Sequence, residues 1–298
     1  MSYAWKRFKR DRPALIGVVV ILLLLVAALG APWLAPYDPA EQFFDGLTLE
    51  GAPLPPCPGH LWGAPPPQDM EACAKYPLGT DLLGRDLLSR LLYGARTSLL
   101  IGVVANGAAV LLGTLVGLVA GYLQGWVGAA LMRFTDLMMA FPALLLAIAL
   151  AAIFAPSLWI VALVIALVNW VQIARVLYTQ TVALAEREFI EATRALGAAW
   201  PRLLLVHLLP HLVPTILVYA TLGIATTVLL EATLSYLGVG VRPPTPSWGG
   251  MIFDNQSYFL TAPWLVFFPG AAIMASALAF NLVGDALRDV LDPTERGR

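Results

Sequence analysis

Residues 188–210 read "EFIEATRALGAAWPRLLLVHLLP". Apolar runs flank this stretch on both sides, each of about 20 residues, the length that crosses a hydrocarbon core. Phe189, Thr193 and Leu196 fall on one helical face with Ile190 beside them, while Glu188 and Glu191 fall on other faces. That is amphipathic helical spacing. Gly197 stands where a helix C′ residue belongs, because glycine adopts a left-handed conformation without a Cβ penalty. Pro201 stands where a second helix begins, because its missing N–H is not needed there. The spacing predicts a short helix, a sharp turn, and a second helix leading into a membrane span near Pro210 and Pro214. A helix this short is marginal alone in water. It makes sense if a partner docks on it; the other reading is a helical loop lying on the lipid surface.

The surroundings of this stretch fix the fold class. Of 298 residues, 59% are hydrophobic and 12% are charged, and a soluble domain carries roughly twice that charge. The apolar residues gather in span-length runs, which predicts an all-α polytopic membrane protein. Six transmembrane helices are expected, at about 14–33, 97–121, 134–155, 157–179, 212–237 and 264–284. A cleaved signal peptide is the alternative for the first run, but that run exceeds the usual apolar core of about 7–15 residues. With the N-terminus inside, thirteen Lys and Arg fall on inner segments and five on outer ones. The bias favours an N-in/C-in orientation. A net charge of −1 gives no indication of nucleic-acid binding.

Three regions follow: residues 1–35, a cytoplasmic start and first span; 36–96, an external loop; and 97–298, five further spans with a cytoplasmic loop at about 181–211. The external loop is rich in proline and holds eight acidic residues against four basic ones. It also holds both cysteines, Cys57 and Cys73. In a reducing compartment they stay thiols; on the outside, where the orientation places them, they are expected to close a disulfide. Near its end, Leu83, Leu87 and Leu91 recur at helical spacing, widened by Leu82, Leu88 and Leu92. Asp81–Arg85 and Asp86–Arg90 are i,i+4 pairs on the polar side. This predicts an amphipathic helix at the outer interface, either a docking or gating element or a plain interfacial helix.

Few polar groups interrupt the spans. Glu231 is the one acid well inside a span, with Thr227 and Ser235 one turn either side. An acid facing lipid is costly, so it is expected to face a translocation path or to hydrogen-bond a neighbouring helix. Asn169 and Gln172 form a second polar face, with Arg175 a turn further on; they and Asn106 are candidates for the path or for interhelical contact. "RPPTPSWGGM" (242–251) is a stiff external segment, either a contact for a partner or a turn. "NLVGDALRDVLDP" closes the last span with Asn281, Asp285, Arg288, Asp289 and Asp292. His60, His207 and His211 do not form a metal set: the last two share a helical face, but no third ligand lies near them.

The residues also carry a family resemblance. Glu191-Ala192-Thr193, then Gly197, then Leu209-Pro210 resembles the EAA loop of ABC-importer permeases. That pattern is EAA, three residues, Gly, nine residues, an apolar position, one residue, Leu-Pro. Thr193 replaces the second Ala, and His207 occupies the apolar position. "PLGTDLLGRDLLSRLLYGARTSLLIG" (77–102), "EATLSYLGVGVRPPTPSWGGM" (231–251) and "AFNLVGDALRDVLDPT" (279–294) resemble the second permease subunit of dipeptide/oligopeptide importers. The resemblance covers nearly the whole chain except about 41–75, which looks like an insertion.

The resemblance implies a type I ABC importer permease fold in the cell inner membrane, pairing with a homologous second permease. Two cytoplasmic ATPase subunits would each receive one EAA helix, here through Glu188, Phe189, Glu191, Ala192, Thr193, Leu196 and Gly197. An extracytoplasmic binding protein would deliver di- or oligopeptides for alternating access. Nickel chelates and glutathione are alternative cargoes of the same machinery. The chain has no G-x-x-x-x-G-K-[ST] motif, and its lysines are Lys6, Lys9 and Lys75. No catalytic residue and no cofactor of its own are expected; ATP and Mg would sit on partner subunits. A secondary transporter is the rival from another class, but it calls for internal repeats and broken helices at the midplane, and no repeat stands out. A membrane-embedded enzyme is the second rival, and the scattered Glu231, Asn169 and Asn106 compose no reaction.

Overall fold

The computed structural model describes residues 11–57, 74–155 and 157–291. The basic start up to Arg10, His60, Cys73 and the end beyond Leu291 lie outside these described residues. Helix α1 spans Arg12–Leu34, α2 Leu87–Leu123, α3 Gly125–Ala140, α4 Ala143–Ile153 and α5 Leu158–Ala185. Then come α6 at Glu188–Ala195, α7 at Trp200–Tyr236, α8 at Trp248–Asn255 and α9 at Trp264–Leu291. Among the described residues, β pairing is confined to two isolated bridges, Leu47 with Pro53 and Thr80 with Asp86. The all-α expectation holds.

Among the described residues, five helices, α1, α2, α5, α7 and α9, are long and apolar enough to cross a membrane. The third expected span, 134–155, is not one straight helix: α3 and α4 meet at a 91° bend and count as a sixth span only if taken together. Pro142 makes the break. It has no N–H to donate, and its ring pushes the preceding residue out of the helical region; Phe141 accordingly sits at φ −89, ψ 133. α7 starts earlier than the expected 212 and runs unbroken from Trp200, but Leu203–Leu208 is wound as π-helix. Pro210 cannot donate to the turn before it, and the ladder steps wider there, with Leu209 N–H reaching Leu204 O.

Helices α2 and α5 pack backbone to backbone. Gly113, Gly117 and Gly121 recur every four residues on α2, and a Cβ on each would lie 2.6–2.7 Å from Trp170 O, Ala174 O or the Thr181 side chain. Lipid tails supply no hydrophobic drive between helices, so such small-residue stripes let van der Waals contact hold them together. The outward side of α1 stays apolar and exposed, with Leu23 63% and Leu29 70% accessible, as suits a helix bathed in lipid.

The expected amphipathic helix at 81–92 is only partly formed. Residues 81–86 form a turn, and α2 begins at Leu87 as a continuation into the span. Asp86 caps it, its Oδ2 accepting the Ser89 N–H at 2.7 Å. The charges expected on a solvated side are instead buried: Asp81, Arg85, Asp86 and Arg90 are each at most 7% exposed. Asp81–Arg85 does pair, at 2.7 Å. Asp86–Arg90 does not, because Asp86 is committed to the cap and Arg90 turns to Asp81 at 3.2 Å and Asp254 at 3.7 Å. Asp254 lies on α8, and Arg90 also donates to Pro39 O at 3.2 Å.

Candidate functional site

The opening stretch folds as its punctuation implies. α6 ends in a paired closure: Gly197 N–H donates to Arg194 O at 2.9 Å and Ala198 N–H to Thr193 O at 3.3 Å. This closure needs a left-handed residue at C′, and Gly197 has φ +83. Pro201 falls in the first turn of α7, one residue after its start at Trp200. Glu188 and Glu191 lie in the first turn of α6 and Arg194 in its last, the arrangement that opposes the helix dipole favourably.

One fully buried side chain anchors α6 to the body. Ile190 is fully buried, in a cluster with Leu177, Leu203, Leu204 and Leu208. Burial of such a side chain contributes about 2–3 kcal/mol, enough to seat a helix that is marginal by itself. Phe189 rests against the His211 ring at 5.4 Å, and Arg194 lies 5.4 Å over the Tyr122 ring. The remaining faces point outward. Glu188, Glu191, Ala192 and Gly197 are exposed, Phe189 is 41% and Leu196 88% exposed, and Thr193 is half-buried with its hydroxyl on Phe189 O. Leu196 is thus an open apolar residue on an amphipathic helix anchored through Ile190.

The polar residues of the spans divide into two places. Asn169 and Gln172 line a cavity of about 260 Å³ together with Asn106, Tyr219, Gly223 and Thr226. Asn106 Nδ2 donates to Ala220 O at 2.6 Å and Asn169 Nδ2 to Thr227 Oγ1 at 3.3 Å. Asn106 can sit there because residue 223 is glycine: a Cβ would lie 2.0 Å from its Oδ1. Thr227, Glu231 and Ser235 do not line this cavity; all three are buried within the chain. Glu231 Oε1 accepts from Ser235 Oγ at 2.7 Å and its Oε2 from Ser98 Oγ at 3.1 Å. Ser98 in turn accepts the Trp248 N–H at 3.2 Å. Glu231 therefore ties α7 to α2 and, through Ser98, to α8.

Tyr219, Gly223 and Thr226 escaped sequence reading, although with Leu230 they recur at i, i+4, i+7 and i+11, the signature of one helical face. Ser98 left no signal, because its partner lies across the bundle. Helix α8 was missed as well: Gly249 and Gly250 depress its helix propensity, yet Ser247 caps it and Trp248 is buried with its indole N–H on Leu91 O at 3.1 Å.

At the end of the bundle away from α6, Tyr37, Phe43 and Tyr76 pack ring to ring within 5.8 Å. Lys75 pairs with Asp45 there and holds its carboxyl below the ordinary carboxylate range, while burial pushes the Tyr76 hydroxyl up to about 12. Burial also pushes the Asp254 carboxyl up, against the pull of Arg90. Cys57 is not a free thiol; its expected partner Cys73 is outside the described residues.

Comparison with known proteins agrees with this layout. Residues 113–297 match the model of the binding-protein-dependent transport system inner membrane component, and residues 1–56 match the N-terminal TM domain of oligopeptide transport permease C. The chain is similar to a di/tripeptide transport system permease protein of Pseudomonas aeruginosa (strain UCBPP-PA14), 43% identical over 97% of this chain and 90% of the relative. A dipeptide transport system permease protein of Alkalihalophilus pseudofirmus is 38% identical over 97% and 88%. A glutathione transport system permease protein of Escherichia coli is 39% identical over 98% and 90%. Among solved structures, the inward-facing MetNI methionine ABC transporter shares the fold, with a TM-score of 0.57 at 17% identity over 68% of this chain and 96% of that one.

Proposed function

The chain belongs to the family of binding-protein-dependent transport system inner membrane components, and on that premise we propose that it carries di- and oligopeptides through the membrane for an ATP-driven importer. It is a multi-pass inner-membrane permease subunit. Members of the family act with a second permease, ATPase subunits and a binding protein. For this chain we assign the ATPase contact to α6 and its turn: Glu188, Phe189, Glu191, Ala192, Thr193, Leu196 and Gly197.

The observation that carries this reading is the seating of α6. It is fixed to α7 through Ile190, and the turn at Gly197 leads directly into that span. A push on the exposed face is therefore delivered to α7, which lines the cavity. ATP and Mg would be held by the partner ATPases, whose closure and opening drive alternating access. The peptide cargo rests on the names of the relatives, two of which handle di- or tripeptides.

Glutathione is the second reading, favoured by a relative of that name at 39% identity. Purification of the chain with its bound subunits, followed by mass spectrometry of whatever the co-purifying binding protein carries, separates the two. Short peptides of varied sequence support peptide import. Glutathione alone supports the second reading, and a binding protein with neither overturns both.

A further inference from the structure

From the cavity among α2, α5 and α7 we infer that this permease holds its cargo by the peptide bond itself, through uncharged side-chain amides, and is indifferent to cargo side chains. This rests on the peptide-import reading and goes beyond it, because it names the chemical group recognised inside the membrane and the residues that recognise it.

The placement comes first. Asn106 and Asn169 with Gln172 lie near the midpoints of Leu87–Leu123 and Leu158–Ala185, and Gly223 lies near the midpoint of Leu209–Tyr236, the α-helical stretch of α7 beyond its π-wound turn. The polar groups are therefore gathered at one depth, in the middle of the apolar spans. Gln172 and Thr226 are exposed there. Polar groups in the middle of a span belong on a bundle interior or a water-filled cavity, not against hydrocarbon.

The chemistry of the lining comes second. Among the described residues, Asn106, Asn169, Gln172, Tyr219 and Thr226 supply the polar side chains at the cavity, and no Asp, Glu, Lys, Arg or His lines it. A side-chain amide offers both N–H donors and a carbonyl acceptor. A peptide bond offers one of each, so the two groups pair in either sense. The same lining has no fixed charge. In a low-dielectric site a fixed charge would attract one class of cargo side chain and repel the opposite class by several kcal/mol. Glu231 is the nearby acid, and it is withdrawn from the cavity by Ser98 and Ser235.

The size comes third. About 260 Å³ lies just below the usual range of ligand pockets, roughly 300–1,000 Å³. It takes a short stretch of main chain, not an entire oligopeptide. Gly223 is part of the construction, since it lets the Asn106 amide approach the α7 backbone.

The test uses the purified complex in proteoliposomes, supplied at saturation with the binding protein that accompanies it. Uptake of alanylalanine, glutamylalanine, lysylalanine and phenylalanylalanine is followed in the wild type and in Asn169→Leu, Gln172→Leu, Gln172→Asn and Gln172→Glu. Losing one neutral hydrogen bond is expected to lower uptake roughly fivefold. The inference predicts that loss in both Leu variants, by the same factor for all four peptides. Gln172→Asn, which keeps an amide, should recover at least half of it. Gln172→Glu should separate the peptides by charge, with glutamylalanine falling most. ATPase stimulation by loaded binding protein, retained in every variant, shows that the complexes are folded and coupled. Unchanged uptake in both Leu variants overturns the inference, and so does a loss confined to one charge class. A wild-type complex that takes up none of the four, with ATPase stimulation intact, instead overturns the peptide reading beneath it.

Discussion

Ser98 on α2 and Glu231 on α7 are 133 residues apart in sequence and share a 3.1 Å hydrogen bond inside the protein. The Ser98 hydroxyl also accepts the Trp248 backbone N–H, so one serine links two spans and the start of α8. Replacing Glu231 by Gln keeps the shape and a hydrogen-bonding group toward each serine. Glu231→Gln is therefore expected to assemble normally and to lose no more than about 1 kcal/mol of stability. Glu231→Ala leaves both hydroxyls and a cavity behind, and is expected to lose about 2–4 kcal/mol. Thermal unfolding in detergent compares the two. A Gln variant as damaged as the Ala variant would show that the charge of Glu231, and not its hydrogen bonds, holds these elements together.

Gly197 makes a different demand. It has φ +83 and nothing lies within 4 Å of where a Cβ would be. Gly197→Val therefore acts through the backbone alone, at a cost of about 1–2 kcal/mol. The paired closure at the end of α6 should open, while the spans, which do not depend on it, stay inserted. Glu191→Lys places a cation in the first turn of α6, where the helix dipole disfavours it by about 0.3–1 kcal/mol, and reverses the charge on the exposed face. Both variants are expected to remain in the membrane with reduced ATPase attachment. Co-purification of the ATPase at wild-type levels in both would return α6 to the status of a surface helix.

The cysteines give a prediction about the segment opposite α6. A Cys57–Cys73 bridge closes a short loop and, by the chain-entropy model, contributes roughly 3 kcal/mol at most. It would stiffen the proline-rich insertion and leave the spans indifferent. Intact mass after alkylation under non-reducing conditions should show no modified thiol, and two after reduction. Two alkylated cysteines before reduction contradict the pairing.

Arg90 is 2% exposed and stands between Asp81 and Asp254. Truncating one member of a buried charge cluster leaves the others uncompensated, at a cost of about 3–5 kcal/mol. Arg90→Leu should fall in that range, and adding Asp254→Asn should recover part of it, because Asp81 retains Arg85. Unfolding midpoints of the two single variants and the double variant supply the cycle. Strict additivity would mean that Arg90 and Asp254 do not interact.

The parts of this molecule governed by neighbours in sequence could be read from it. The α6 hairpin is such a part: helical period, a glycine at C′ and a proline in the following turn lie within fifteen residues, and all took the expected places. The span-length apolar runs were equally local. What escaped depends on contacts across the fold. Arg90 was expected to pair with Asp86 one turn away, but tertiary packing buries it beside Asp254 from α8. Glu231 gave no sign of its partner Ser98, which lies across the bundle. The 91° break in the third expected span was written in Pro142, but hydropathy alone ran through it. The cavity was half visible, since Asn106, Asn169 and Gln172 stood out singly, and only the packing of three helices brings them together with Tyr219 and Thr226.

The central claim is that this chain turns ATP hydrolysis on partner subunits into peptide movement, with α6 as the mechanical link. It is tested most directly by ATP-dependent uptake of a labelled dipeptide into proteoliposomes, comparing the wild-type complex with Gly197→Val at equal permease content. Uptake should require ATP and loaded binding protein in the wild type, and Gly197→Val should lose at least about tenfold with all spans still inserted. Equal uptake by the two complexes, or wild-type uptake that proceeds without ATP, would contradict it.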